Sequence, residues 1–265
     1  MSFEKQMYEV REKWEESYFS AGDRRRVQYV SGLIANDVSS ILDVGCGNGI
    51  LVNYLDKQFP NRFARICGTD RSETSLKFVH TEKVCANIDE LPFKNGEFDL
   101  VTCLEVIEHL PQEIYTSALK ELKRIAGQYI IISVPNDEDL VLNRVTCPRC
   151  YTAFSPFYHM RSFSGDKLST SLLPEFEPVH IESIEKITVP RFPRIKQKIS
   201  RLLHPEVYPP NCICPMCGHH EFDKLKKSET SQINHTTEEP VISGLSRFWP
   251  HTKKSKWMVG LFKRK

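Results

Sequence analysis

Residues 41–49 read ILDVGCGNG, a short apolar run that contains one acid and ends in three glycines spaced two apart. The run from Ser40 to Val44 predicts a buried strand, because it is short, apolar and stopped by glycine. The glycines predict a tight turn through which the backbone can approach a ligand closely. A helix is predicted to open at Ile50, so its free N–H groups would face the same place. This unit predicts a ligand site at the carboxyl end of a strand.

Strands and helices alternate at short spacing on both sides of this turn. Further strands are predicted at 65–70, 84–86, 98–103 and 129–134, and further helices at 24–35, 72–79 and 111–125. This alternation is typical of a parallel sheet with helices on both faces, so the fold class is α/β.

An acid at the end of the second strand supports a nucleoside ligand. Asp70 follows Gly49 by 21 residues and ends the predicted strand at 65–70, where a carboxylate can bind both hydroxyls of a ribose. A dinucleotide site would prefer glycine three residues after Gly47, but position 50 is isoleucine. The dinucleotide interpretation is therefore weakened.

Five segments resemble those of class I S-adenosylmethionine-dependent methyltransferases, in the family's order and spacing. They are ILDVGCGNG (41–49), GTD (68–70), NIDELPF (87–93), FDLV (98–101) and LEVIEHL (104–110). The resemblance covers about residues 40–135. It implies a Rossmann-like seven-stranded sheet whose last strand, at 257–262, is antiparallel and pairs with a strand at 180–189. It also implies S-adenosylmethionine as the cofactor and methyl transfer as the activity.

The same resemblance implies which residues hold the cofactor. The glycine turn would hold the methionine part, Asp43 would support the turn, and Asp70 would take the ribose. Family members often carry aspartate where this chain has Asn87, whose amide can still bond to the edge of adenine. The full set is Asp43, Gly45, Cys46, Gly47, Gly49, Asp70, Arg71, Asn87, Ile88, Cys103 and Leu104.

Three residues are candidates for the reacting centre. Methyl transfer needs a nucleophile aligned behind the methyl group and relieved of its proton. Glu108 and His109 follow the fourth predicted strand, and His109 is the predicted base because imidazole titrates near neutral pH. His159, after the fifth strand, is the alternative base. A packing or capping role for His109, and a surface-loop position for His159, remain open.

Two matched cysteine pairs predict a metal site. Cys147-Pro-Arg-Cys150 and Cys214-Pro-Met-Cys217 are separated by 63 residues. The two-residue spacing lets both sulfurs of a turn reach one tetrahedral ion, and two such turns supply four thiolates, so a structural zinc site is favoured. The alternatives are a redox pair or buried thiols. Cys212 is a fifth thiol that can replace one ligand.

The small net charge of +2 hides a split along the chain of 265 residues. Residues 1–185 carry 20 Lys and Arg against 28 Asp and Glu, giving −8, whereas residues 186–265 carry 16 against 6, giving +10. The predicted organisation has three parts. They are a helical lid at 1–36, a methyltransferase domain at 37–190 and 255–265, and zinc-knuckle and basic insertions at 143–163 and 191–254 that form a cap.

Composition and motifs together predict an enzyme. The chain is 40% hydrophobic and 26% charged, and its charged N-terminus has no apolar signal core, so a cytoplasmic protein without a transmembrane segment is expected. We expect methyl transfer to oxygen or nitrogen of a small or medium acceptor, such as a sugar or lipid-linked glycan, with room for an anionic group.

Two other functions remain open at this point. One is an RNA or protein methyltransferase that uses the zinc cap and the basic C-terminal region for recognition. Nucleic acid is less favoured, because the sequence shows no aromatic-rich basic cluster, and the basic region also suits contact with a membrane surface. The other is a non-catalytic zinc-binding adaptor that keeps the cofactor fold.

Overall fold

The computed structural model describes Glu9, Trp14 and residues 20–142, 144–195, 212–220 and 249–265. The described residues form two compact units. The sheet unit comprises Glu9, Trp14 and residues 20–138, 160–185 and 256–265. The cysteine unit comprises residues 139–142, 144–159, 186–195, 212–220 and 249–255. Most of residues 1–19 of the predicted lid and most of the insertion at 191–254 lie outside the described residues. The division into lid, domain and cap stays a prediction.

Helices and strands alternate through the sheet unit. The helices are α1 (Ala21–Gly32), α2 (Ile50–Gln58), α3 (Glu73–Leu76), α4 (Gln112–Ile125) and α5 (Gly165–Ser169). The strands are β1 (Ser40–Val44), β2 (Arg65–Asp70), β3 (Glu82–Cys85), β4 (Phe98–Leu104), β5 (Ala126–Pro135), β6 (Val145–Thr146), β7 (Ala153–Phe154), β8 (Phe176–Pro190) and β9 (His251–Arg264). Strands β6 and β7 pair with each other as a separate antiparallel hairpin.

The main sheet has seven strands in the order β3-β2-β1-β4-β5-β9-β8. Strands β1 to β5 pair in parallel, and β9 runs antiparallel to β5, with Ile131 opposite Leu261. The predicted α/β class, the seven strands and the antiparallel last strand are confirmed.

The central strands are buried on both faces, as strands between two helical layers must be. Ile131 and Leu100 face one apolar cluster, and Ile130 and Val101 face the other, because successive side chains of a strand point to opposite faces. Helices α1 and α2 cover the first face, and α4 covers the second through residues such as Leu122. Burying each such side chain contributes about 1.5–3 kcal/mol.

Helix boundaries follow from local hydrogen bonds. Helix α1 begins earlier than the predicted residue 24, because Ser20 and Asp23 cap each other reciprocally. Helix α3 ends earlier than predicted. The Asn53 side chain donates to the Phe78 carbonyl at 2.9 Å and accepts from the His80 N–H at 2.8 Å, and this fixes a non-helical backbone after α3.

Within the described ranges, no helix is both long and apolar enough to cross a membrane.

Candidate functional site

The glycine turn joins β1 to α2 with three residues in the left-handed region. Gly45, Gly47 and Gly49 have φ angles of 72°, 55° and 79°. A Cβ atom at Gly45 would lie 2.4 Å from Cγ2 of Val106, which is far inside van der Waals contact. Glycine is therefore required here both by conformation and by space.

Asp70 ties this turn to the end of β2. Its Oδ2 accepts from the Gly47 N–H at 2.9 Å, and its Oδ1 accepts from the Ser72 N–H at 2.9 Å. Burial raises the pKa of Asp70, and these two backbone donors act in the opposite direction. The Gly45 and Cys46 N–H groups both donate to the Thr69 carbonyl, at 2.8 and 3.0 Å. Asp70, the residue predicted to bind the ribose, thus forms one hydrogen-bonded unit with the glycine turn.

Asp43 lies beneath the turn and links β1 to β4. It is 3% exposed, and its Oδ1 accepts from the Thr102 hydroxyl at 2.6 Å. Burial raises the pKa of Asp43 to about 7, although the Thr102 bond opposes this. The bond to Thr102 joins β1 to β4 inside the core, and the support of the glycine turn by Asp43 stays a prediction.

The other predicted cofactor residues follow the carboxyl ends of neighbouring strands. Arg71 follows β2, Asn87 and Ile88 follow β3, and Cys103 and Leu104 end β4. Asn87 is exposed, whereas Ile88 packs against the core. Cys103 is fully buried in that core, and burial raises the pKa of its thiol well above the usual range. The sheet order places all these residues along one edge.

Trp14 lies against the glycine turn. A Cβ atom at Gly47 would come within 2.7 Å of the Trp14 ring, and the Asn48 side-chain amide donates to the Trp14 carbonyl at 2.9 Å. Apart from Glu9, the other residues at 1–19 of the predicted lid lie outside the described residues.

Glu108 and His109 lie on a 3-10 turn, Ile107–His109, just after β4. Glu108 is fully buried, and among the described residues neither of its carboxyl oxygens has a hydrogen-bond partner. Burial, reinforced by the charge of Glu105, raises the pKa of Glu108 well above its ordinary value. Its Oε1 lies 3.8 Å from Nε2 of His109. The two predicted catalytic side chains are thus adjacent, and the carboxyl has free bonding capacity.

His159, the alternative base, belongs to the cysteine unit. It is half-buried, and its ring centroid lies 5.8 Å from that of Phe157.

The four predicted zinc ligands converge within the cysteine unit. The sulfurs of Cys147, Cys150, Cys214 and Cys217 all lie within 4.8 Å of one another. Cys147 Sγ is 3.7 Å from Cys217 Sγ, and Cys150 Sγ is 3.5 Å from Cys214 Sγ. The hydrogen bond with the Thr152 hydroxyl lowers the pKa of Cys150 to about 6. Cys212 is buried in the same cluster but is not one of the four grouped sulfurs.

The two cysteine turns share one backbone geometry. In the first, the Tyr151 N–H donates to the Cys147 carbonyl at 2.9 Å, and in the second the Gly218 N–H donates to the Cys214 carbonyl at 2.9 Å. Tyr151 and Gly218 both adopt positive φ angles, 59° and 68°. Tyr158 joins the two turns, because its hydroxyl bonds to both backbone groups of Ile213.

Sequence reasoning missed Arg26, which is buried at 7% exposure. Its Nη1 lies 3.3 Å from Oε2 of Glu105, and its guanidinium lies over the Trp257 ring at 4.5 Å. The signal was present in the spacing, since Arg26 precedes the fully buried Val30 by four residues and shares its helix face.

Known methyltransferases are similar to this chain in sequence and in fold. Residues 42–130 match the methyltransferase domain family. Among solved structures, an S-adenosylmethionine-dependent methyltransferase from Archaeoglobus fulgidus is similar, with a TM-score of 0.54, 16% identity, and coverage of 99% of this chain and 98% of that chain. At that identity the likeness shows the fold alone. Residues 42–130, which hold the glycine turn and the parallel strands around it, are thus similar to a methyltransferase domain.

Curated relatives match this chain over part of their own length. An uncharacterised protein of Methanocaldococcus jannaschii is 32% identical over 148 residues, which are 50% of this chain and 63% of that protein. The ubiquinone biosynthesis O-methyltransferase of Coxiella burnetii is 33% identical over 95 residues, which are 32% of this chain and 39% of that enzyme. The chain therefore spans less than two thirds of the length of these relatives.

Proposed function

We propose that this protein is an S-adenosylmethionine-dependent methyltransferase. The observation that carries the proposal is the unit of Asp70 and the glycine turn, in which a half-buried carboxylate and left-handed glycines meet at the carboxyl edge of the sheet. Each carboxylate oxygen of Asp70 keeps a second lone pair for a ribose hydroxyl. When bound, the cofactor would supply an activated methyl group on its sulfonium.

The residues of the chain must then align the acceptor and remove its proton. We assign this role to His109, with Glu108 as its neighbour. A proton gained by the imidazole places a cation 3.8 Å from the buried Glu108 carboxyl, and this favours ionisation of that carboxyl. The proton released by the acceptor would thus stay on the His109 imidazole, and a carboxyl that ionises beside it would pass its own proton to solvent. His159 remains the alternative base.

The acceptor we propose is a small or medium molecule that is methylated on oxygen or nitrogen. The similarity to an enzyme named as an O-methyltransferase supports oxygen. A sugar or lipid-linked glycan with an anionic group suits the basic character of the C-terminal quarter.

A macromolecular acceptor is the second candidate, and the charge of the cysteine unit favours it. Its described residues carry seven Lys and Arg against one carboxylate, Asp139. Tyr151 on the first cysteine turn is 80% exposed, and exposed aromatic rings beside cations suit single-stranded RNA. Transfer of labelled methyl groups to total RNA, compared with transfer to a small-molecule extract, distinguishes the two acceptors.

We also propose that the four cysteines hold one structural zinc ion. Sulfurs bound at ~2.3 Å to a tetrahedral zinc lie about 3.8 Å apart, and the two pairs here are 3.7 and 3.5 Å apart. Four protein thiolates leave no open position for water, so the ion would fold the cysteine turns and take no part in the chemistry.

Replacement of Asp70 tests the cofactor assignment. Asp70→Ala removes charge-assisted hydrogen bonds worth about 1.5–3 kcal/mol, so affinity for S-adenosylhomocysteine should fall at least tenfold in calorimetry. Asp56→Ala changes an exposed acid on α2 and is the matched control. Unchanged affinity in Asp70→Ala, with the control also unchanged, would contradict the assignment. If the wild-type protein binds the cofactor and also transfers labelled methyl groups to an acceptor, it is an enzyme. Binding without transfer would favour the non-catalytic adaptor.

A further inference from the structure

Exposed apolar side chains are concentrated in the cysteine unit. Among the described residues nine large apolar side chains are exposed, and six of them lie in this unit, which is the smaller of the two. They are Val141, Tyr151, Phe157, Phe192, Ile195 and Met216. Single exposed apolar residues need no explanation, but a concentration of them marks an interaction surface.

Three of these side chains form one patch. Asp139 connects them, because its Oδ1 accepts from the Val141 N–H at 3.2 Å and its Oδ2 pairs with Nε of Arg194 at 2.8 Å. Phe192 and Ile195 flank Arg194 and are three residues apart at the start of a helical turn, so they are neighbours on its surface. The apolar patch is defined as Val141, Phe192 and Ile195, whose exposed fractions are 65%, 49% and 53%.

Cations lie beside the apolar patch. Arg144 is exposed, and its N–H donates to the Val141 carbonyl at 3.4 Å. Arg191 is also exposed, and its guanidinium lies 5.7 Å from the centre of the Phe192 ring. The described residues of the cysteine unit carry seven Lys and Arg against one carboxylate, and that carboxylate, Asp139, already pairs with an arginine. The patch therefore presents apolar groups within a region of positive charge.

This combination matches the surface of an anionic membrane. Apolar side chains enter the boundary between headgroups and acyl chains, while neighbouring cations are attracted to anionic headgroups. Single-stranded RNA is a poorer match, because Val141 and Ile195 are aliphatic and offer no ring on which a base can stack.

We infer that the cysteine unit binds peripherally to anionic membranes through the apolar patch and the cations beside it. The inference goes beyond the proposed function and does not depend on methyl transfer. It agrees with a lipid-linked acceptor, since such a molecule would lie in the membrane to which the protein binds.

Sedimentation of the whole chain with lipid vesicles tests the inference. The wild type should bind vesicles that contain about one third phosphatidylglycerol, and should bind pure phosphatidylcholine vesicles at least about tenfold more weakly. Raising the salt concentration from about 0.1 M to about 1 M should weaken binding to the anionic vesicles, because the Debye length falls from about 10 Å to about 3 Å.

A double variant removes the apolar contacts. Phe192→Ser combined with Ile195→Ser should lower the partition coefficient on the order of tenfold or more, since two apolar side chains no longer enter the lipid. The matched control combines Leu173→Ser with Val179→Ser, two exposed apolar side chains of the sheet unit, and should bind as the wild type does. Circular dichroism checks that both double variants are folded.

A second double variant removes the charge. Arg144→Gln combined with Arg191→Gln should lower affinity for the anionic vesicles by about fivefold per cation and leave binding to phosphatidylcholine unchanged. Lys57→Gln combined with Lys120→Gln changes two exposed cations of the sheet unit and should have no effect.

Three outcomes would overturn the inference. The first is a wild-type protein that does not sediment with the anionic vesicles. The second is an equal loss of binding in the patch variants and in their controls. The third is binding of a single-stranded RNA oligonucleotide that the apolar double variant loses, without binding to vesicles, and this would assign the patch to nucleic acid. A wild type that binds the vesicles as expected but does not bind S-adenosylhomocysteine would overturn the proposed function alone and support this inference.

Discussion

Replacing Asp43 with asparagine should change how protein stability depends on pH. Asp43→Asn keeps the shape of the side chain, and its carbonyl can still accept from the Thr102 hydroxyl. Burial raises the pKa of Asp43 from 3.8 to about 7. The folded protein thus keeps this proton at a pH where the unfolded chain has lost it, so the wild type loses stability as pH rises from about 4 to 7.

The size of the effect follows from the two pKa values. A difference between 3.8 and about 7 corresponds to about 4 kcal/mol, because each pKa unit is worth about 1.4 kcal/mol. Asp43→Asn has no proton to lose. Its stability relative to the wild type should therefore rise by up to about 4 kcal/mol between pH 4 and pH 8, with most of the change below pH 7.

Denaturant unfolding at pH 4, 5, 6, 7 and 8 measures this difference directly. Asp56→Asn, an exposed acid on α2, is the control and should follow the wild type at every pH. If the free energy of unfolding of Asp43→Asn and of the wild type changes with pH in parallel, Asp43 has the same pKa in the folded and unfolded states. That result would contradict the expected effect of burial.

Two further predictions concern the proton and the metal. His109→Ala should lower turnover roughly 100-fold while affinity for S-adenosylhomocysteine stays unchanged. His80→Ala, which changes an exposed histidine, is the control. An inactive His159→Ala together with an active His109→Ala would assign the role of base to His159. Elemental analysis should find one zinc per chain in the wild type and in Cys212→Ser, but none in Cys214→Ser. Cys214→Ser should keep its affinity for the cofactor, because the zinc ligands lie in the cysteine unit and the predicted cofactor residues in the sheet unit. Metal-free wild-type protein with ordered cysteine turns would contradict the zinc site.

Local pattern was sufficient to predict the sheet and the glycine turn. Ile41 to Val44 is apolar, short and stopped by Gly45, so strand and turn are both encoded by neighbouring residues. The strand at 257–262 followed from the family resemblance, which also implied its antiparallel pairing with its neighbours in the sheet. The cysteine spacing predicted that four thiols would converge, and their sulfurs do lie within 4.8 Å of one another.

Contacts between distant residues were beyond local pattern. Asn53 ends α3 through bonds to Phe78 and His80, and no periodicity encodes that competition. Tyr158 bonds to Ile213 across 55 residues, so its role in joining the cysteine turns appears only in the folded chain. The spacing of Arg26 from Val30 placed it on the buried face of α1, but its partner Glu105 lies on another element and could not be found from local pattern.

A crystal structure of the wild-type protein with S-adenosylhomocysteine would show whether Asp70 and the glycine turn hold the cofactor. We expect electron density for one ligand per chain, with both ribose hydroxyls about 2.5–3.0 Å from the Asp70 carboxylate and the homocysteine part over Gly45 to Gly49. A ligand bound elsewhere on the chain, or a ribose turned away from Asp70, would contradict it.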